Sequence, residues 1–141
     1  MSEVHALYQR IIVEHNRQPR NCGPLPGASR VAEARNAFCG DRVSVYVSVN
    51  DAGLSAATFE AVGCALATAS ASLMTVAVAG CTFAEVRALA ARFRAMLAEP
   101  SGSSVDGGLG DLAAFAGVRE YPSRITCATL AWDALESALM H

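Results

Sequence analysis

The chain has 141 residues, of which 52% are hydrophobic and 17% charged; this fits one folded domain over residues 1–141 and excludes a disordered, solvating chain. A net charge of −2 leaves no basic footprint for nucleic acid and no polybasic patch for anionic lipid. All 11 cations are arginine, so mechanisms built on a Schiff-base or P-loop lysine are excluded.

In chain order, Val4, Leu7, Tyr8, Ile11 and Ile12 form one helical stripe over residues 3–17, and Pro19 ends that helix. Residues 18–37, with Pro19, Gly23, Pro24, Pro26 and Gly27, read as an irregular connection. Val43, Val45, Val47 and Val49 then alternate with Ser44, Tyr46, Ser48 and Asn50, the period of a half-buried strand. Asn50 to Gly53 make a turn, and Leu54 to Val62 return as the second strand of a hairpin.

Beyond Gly63 the pattern becomes helical over residues 65–79, with Gly80 at the C-terminal cap. Thr82 and Glu85 form a capping-box pattern that opens a helix to about Ala98. Residues 100–110 are rich in Ser and Gly and are expected to be mobile, with a short helix after Asp111. Residues 121–124 read as an extended lead into a last helix over 127–140, whose stripe is Leu130, Ala134, Leu135 and Leu139. The expected class is α+β: a small antiparallel sheet packed against several helices.

Mean hydropathy is +0.30, yet no stretch is apolar enough to span a bilayer. The most apolar one, residues 64–80, is broken by Thr68, Ser70, Ser72 and Thr75. The first residues lack the basic and apolar regions of a secretory signal, so a cytoplasmic location is expected, with no membrane partner.

An odd number of cysteines, at positions 22, 39, 64, 81 and 127, argues in a reducing compartment against a disulfide framework and toward metal or thiol chemistry. The simpler alternative for any one of them is a small buried hydrophobe. Cys39-Gly40-Asp41 precedes the first valine strand, and glycine between the two side chains lets both turn toward one ion. Cys64 and Cys127 are placed at helix N-termini, where unpaired N–H groups favour thiolate. Three cysteines and one aspartate would complete a tetrahedral zinc shell of formal charge −2, which Arg42 and Arg124 could offset if they are not simply solvated. The spacing matches no short zinc-finger pattern, so these residues alone leave both readings open. Cys22 and Cys81 read as incidental thiols, Trp132 as a packing residue and His15 as a surface helix residue.

Leu7-Tyr8 followed by Pro19-Arg20-Asn21, Cys39-Gly40-Asp41, Gly63-Cys64-Ala65, residues 70–75 (Ser-Ala-Ser-Leu-Met-Thr) and Cys127-Ala128-Thr129-Leu130 resemble, in order, the NifU-N/IscU family of iron–sulfur cluster assembly proteins. The resemblance is greater to the SufU branch, which carries an insertion between the second and third cysteines, here including Leu109-Gly110-Asp111-Leu112. Thr126 stands where IscU scaffolds place a histidine, and residues 121–125 depart from their chaperone-recognition segment.

This resemblance implies a SufE/NifU-like fold. It also implies that Cys39, Asp41, Cys64 and Cys127 ligate one zinc ion, and that Cys39 accepts sulfur from the persulfide of a pyridoxal-phosphate cysteine desulfurase of the SufS type. Downstream iron–sulfur assembly proteins are the further implied partners, and the chain would then be a sulfurtransferase. The alternative is a scaffold, not an enzyme, on which a transient [2Fe–2S] cluster is built on the same thiolates and handed on.

Overall fold

A computed structural model describes residues 3–37 and 40–140. Helix α1 (Glu3–Arg17) is followed by strands β1 (Arg30–Arg35), β2 (Arg42–Val49) and β3 (Leu54–Val62), then by helices α2 (Ala65–Val78) and α3 (Phe83–Ala98). A 3-10 segment (Gly107–Val118) and helix α4 (Pro122–Leu139) complete the order. The strands form one antiparallel sheet in the order β1-β2-β3. This is the α+β class expected from the sequence.

The valine alternation of β2 decides which side of the sheet is inside. Val43, Val45 and Val47 are fully buried, each worth about 1.5–3 kcal/mol, while Ser44, Tyr46 and Ser48 lie on the opposite face. Helix α4 packs on β1 and β2, and α2 on β3 and α4, so the two helices cover the valine face. Helix α1 and the 3-10 segment lie outside them, and α3 joins through stacked Phe93 and Trp132, with ring centroids 5.1 Å apart. Trp132 is thus a packing residue, as expected. Among the described residues no helix is long and apolar enough to cross a membrane.

Four local expectations are corrected. Residues 30–35 form β1, not irregular chain: Arg30↔Val47 through Arg35↔Arg42 pair with β2. Its half-buried face is Arg30, Ala32 and Ala34, too weakly apolar to announce a strand, and the ready-made edge of β2 supplies the drive. Second, α4 begins at Pro122, because proline at the first helical position lacks only an N–H that would be unpaired there anyway. Third, helical structure starts at Gly107, before Asp111, with Asp106 accepting from the Gly108 N–H and a kink at Gly110. Fourth, His15 is buried rather than on the surface, with Nδ1 2.7 Å from Ser72 Oγ on α2.

The capping box of α3 forms as expected: Thr82 Oγ1 accepts from the Glu85 N–H, and Glu85 accepts from the Thr82 N–H. The Ser/Gly connection after α3 is tied by Arg119, which donates to the Met96 and Ser103 carbonyls, and by the Arg92–Asp106 ion pair.

Candidate metal centre

Three segments distant in the chain converge at one end of the helical layer. The first is the loop between β1 and β2. It is closed by the Asn36 N–H donating to the Asp41 carbonyl (2.8 Å) and by the Gly40 N–H donating to the Asn36 carbonyl (2.9 Å). Gly40 lies at φ +75°, in the left-handed region that glycine adopts at no steric cost. This turn delivers Asp41 into the interior, 3% exposed.

The second segment is the junction of β3 and α2. Cys64 is the N-cap of α2, and its Sγ accepts from the Ala67 N–H at 3.4 Å. The Cys64 N–H donates to Asp41 Oδ1 at 3.0 Å. Gly63 before it sits at φ +129°, and a Cβ there would lie 2.7 Å from Asp41 Cγ and 2.9 Å from its Cα. Glycine is therefore required both by the backbone and by the approach of the carboxylate.

The third segment is α4. Cys127 is 8% exposed, and its thiol donates to Asp41 Oδ2 at 3.2 Å. The expectation that Cys127 opens this helix is corrected: it lies well inside α4, where N–H groups are already bonded in the helical ladder. No helix terminus therefore favours its thiolate. Burial above all, then the Cys64 thiol and the Asp41 carboxylate beside it, push the Cys127 thiol up, so it holds its proton at neutral pH.

One ligand atom each from Asp41, Cys64 and Cys127 lies within 4.8 Å of the others. Two thiols and a carboxylate, half-buried or buried, form a donor set that suits a borderline-soft dication, and a dication would offset the negative charge of thiolates and carboxylate packed together. These three of the four expected ligands thus come together. The fourth, Cys39, lies outside the described residues. Neither arginine expected to offset the charge is drawn to the group: Arg42 Nε lies 4.0 Å from Glu33, and Arg124 stacks over the Tyr121 ring at 4.4 Å. Cys22 is exposed beside β3, and Cys81 donates to the Ala77 carbonyl, both apart from the group. The sequence offered no spacing signal for Asn36 or for the steric demand at Gly63, which appear only when the loop and α2 meet.

The NifU-like N terminal domain family matches residues 7–141. The chain belongs to this family. Among its relatives, the zinc-dependent sulfurtransferase SufU of Bacillus subtilis is 36% identical over 139 residues, covering 98% of this chain and 92% of the relative. The iron–sulfur cluster assembly scaffold protein IscU of Streptococcus pyogenes is 35% identical over 139 residues, covering 99% of this chain and 86% of that protein. A crystal structure from Fervidobacterium islandicum, of a candidate scaffold protein for the SUF system, superposes with a TM-score of 0.84 at 29% identity. That match covers 96% of this chain and 98% of the other. Family membership agrees with the motif order read from the sequence, from the first helix to Cys127.

Proposed function

We propose that the protein is a zinc-dependent sulfur-transfer protein of iron–sulfur cluster assembly, working in the cytoplasm. It would accept persulfide sulfur on Cys39 from a pyridoxal-phosphate cysteine desulfurase of the SufS type and pass it to downstream assembly proteins. The observation that carries this reading is the convergence of Asp41, Cys64 and Cys127 in a chain 36% identical to a relative named a zinc-dependent sulfurtransferase.

Asp41, Cys64 and Cys127 would hold the zinc, with Cys39 as the fourth ligand. Bound zinc supplies a redox-inert cation that keeps thiolates deprotonated at neutral pH. Asp41 is fixed by the Cys64 N–H, Cys64 by the first turn of α2, and Cys127 by the body of α4. Cys39 is joined in sequence to Asp41 through Gly40, a residue that imposes no side-chain restriction on the backbone, so it is the residue we assign to meet the partner. In the transfer, the Cys39 thiolate attacks the outer sulfur of the desulfurase persulfide. A new S–S bond forms on Cys39, the bond to the desulfurase cysteine breaks, and that cysteine leaves as thiolate. One thiolate replaces another, with no net oxidation.

The scaffold reading is favoured by the 35% identity to a relative named an assembly scaffold, and thiolates ligate iron as well as zinc. Elemental analysis of the chain purified without added metal, beside Cys39→Ser, separates the two. About one zinc per chain, weakened in the variant, supports sulfur transfer. Iron with acid-labile sulfide supports the scaffold, and a folded chain without metal contradicts both.

A further inference from the structure

We propose that Ser70 is a positioning residue for the metal centre: its buried hydroxyl fixes the distance between the helix that carries Cys64 and the helix that carries Cys127. The inference rests on the metal-centre reading above, and its test is chosen so that the two can fail separately.

The three segments of the centre form a triangle, and each side carries a hydrogen bond. Asp41 Oδ1 with the Cys64 N–H joins the β1–β2 loop to α2. The Cys127 thiol on Asp41 Oδ2 joins the loop to α4. The third side is Ser70: its Oγ donates to the Ala128 carbonyl at 2.5 Å, the residue next to Cys127. Among the described residues, no other side-chain hydrogen bond joins α2 to α4. The loop–α4 side is made of two metal-donor atoms, whereas the Ser70 side contains none. It can therefore stay in place whether or not those atoms hold a cation.

Packing does not explain a serine here. Ala67, Ala69, Ala71, Ala128 and Ala131 around this contact are all fully buried, so alanine at position 70 would fill the same close approach. Nor would Ala128 be left unpaired without it, since a carbonyl inside a helix also accepts from the residue four positions on. The hydroxyl adds direction: it sets how α2 lies against α4, and with that where Cys64 and Cys127 point. Groups that orient metal ligands typically change metal affinity on the order of 10–100-fold when removed.

The comparison is Ser70→Ala against Ser72→Ala. Ser72 is on the same helix and equally buried, but its hydroxyl serves His15 and the Arg20 N–H, away from the centre. Two readings are taken: zinc retention against a chelator, and, on protein stripped of metal, iodoacetamide alkylation of Cys127 resolved by peptide mass spectrometry. We expect Ser70→Ala to weaken zinc retention about tenfold and to speed Cys127 alkylation by a similar factor, with Ser72→Ala close to the parent in both. Parent-like values for Ser70→Ala in both readings, or equal effects from Ser72→Ala, would overturn the proposal. If the parent retains no zinc while Ser70→Ala alone exposes Cys127, the positioning role stands and the sulfur-transfer reading falls.

Discussion

At the scale of single residues, Gly63 connects sequence to chemistry most tightly. Its φ of +129° and the nearness of a hypothetical Cβ to Asp41 mean that Gly63→Ala must either distort the turn or push the carboxylate out of place. We expect a loss of about 1–3 kcal/mol of stability from the backbone alone. Zinc retention should weaken on the order of tenfold or more, because the displaced Asp41 no longer faces Cys64 and Cys127. Chemical denaturation and chelator competition read the two effects; parent-like zinc retention would show that Asp41 is not held by this contact. The motif Gly63-Cys64 was visible in the sequence, but its steric reason was not, because that reason belongs to the fold of a second segment. Cys127 shows the reverse case. The sequence marked it as a candidate ligand while misplacing it at a helix start, since Tyr121-Pro122 reads as extended chain until proline is recognised as a first helical residue.

At the scale of elements, the strongly periodic pieces were legible: the amphipathic stripe of α1, the valines of β2, the capping box of α3. What was not legible came from contacts between elements. The β1 strand turns only Arg30 and two alanines inward and exists because β2 offers it an edge. His15 looked like a surface residue because nothing on α1 shows that Ser72 of α2 waits beneath it. That contact has a pH signature. Burial first, then the Arg20 guanidinium, hold His15 below its usual value of 6.5, against smaller opposite pulls from Glu14 and Asp111. The folded chain therefore favours neutral imidazole, while the unfolded chain takes up a proton at the ordinary value. Stability from this group is full above about pH 7 and is lost as pH falls through 6.5 toward the lowered native value. On metal-free protein, the urea midpoint should fall between about pH 7.5 and about pH 5.5, and His15→Gln should flatten that fall. An equally steep fall in the variant would place the effect elsewhere.

At the scale of the whole molecule, the fold gathers three stretches of chain so that two thiols and a carboxylate meet at the end of the α2–α4 layer. No short motif carries that arrangement, which is why spacing alone left the metal centre open and the order of motifs along the chain was needed. The sheet and helices hold Asp41, Cys64 and Cys127 by backbone and helix contacts, and the proposed sulfur-accepting role is assigned to Cys39. The most direct test of that division of labour is to incubate the protein with a SufS-type desulfurase and cysteine, then map the added sulfur by peptide mass spectrometry. The account predicts one extra sulfur on the peptide carrying Cys39, lost in Cys39→Ser, with Cys22, Cys64, Cys81 and Cys127 unmodified. Full sulfur acceptance by Cys39→Ser, or sulfur found on another cysteine of the parent, would contradict it.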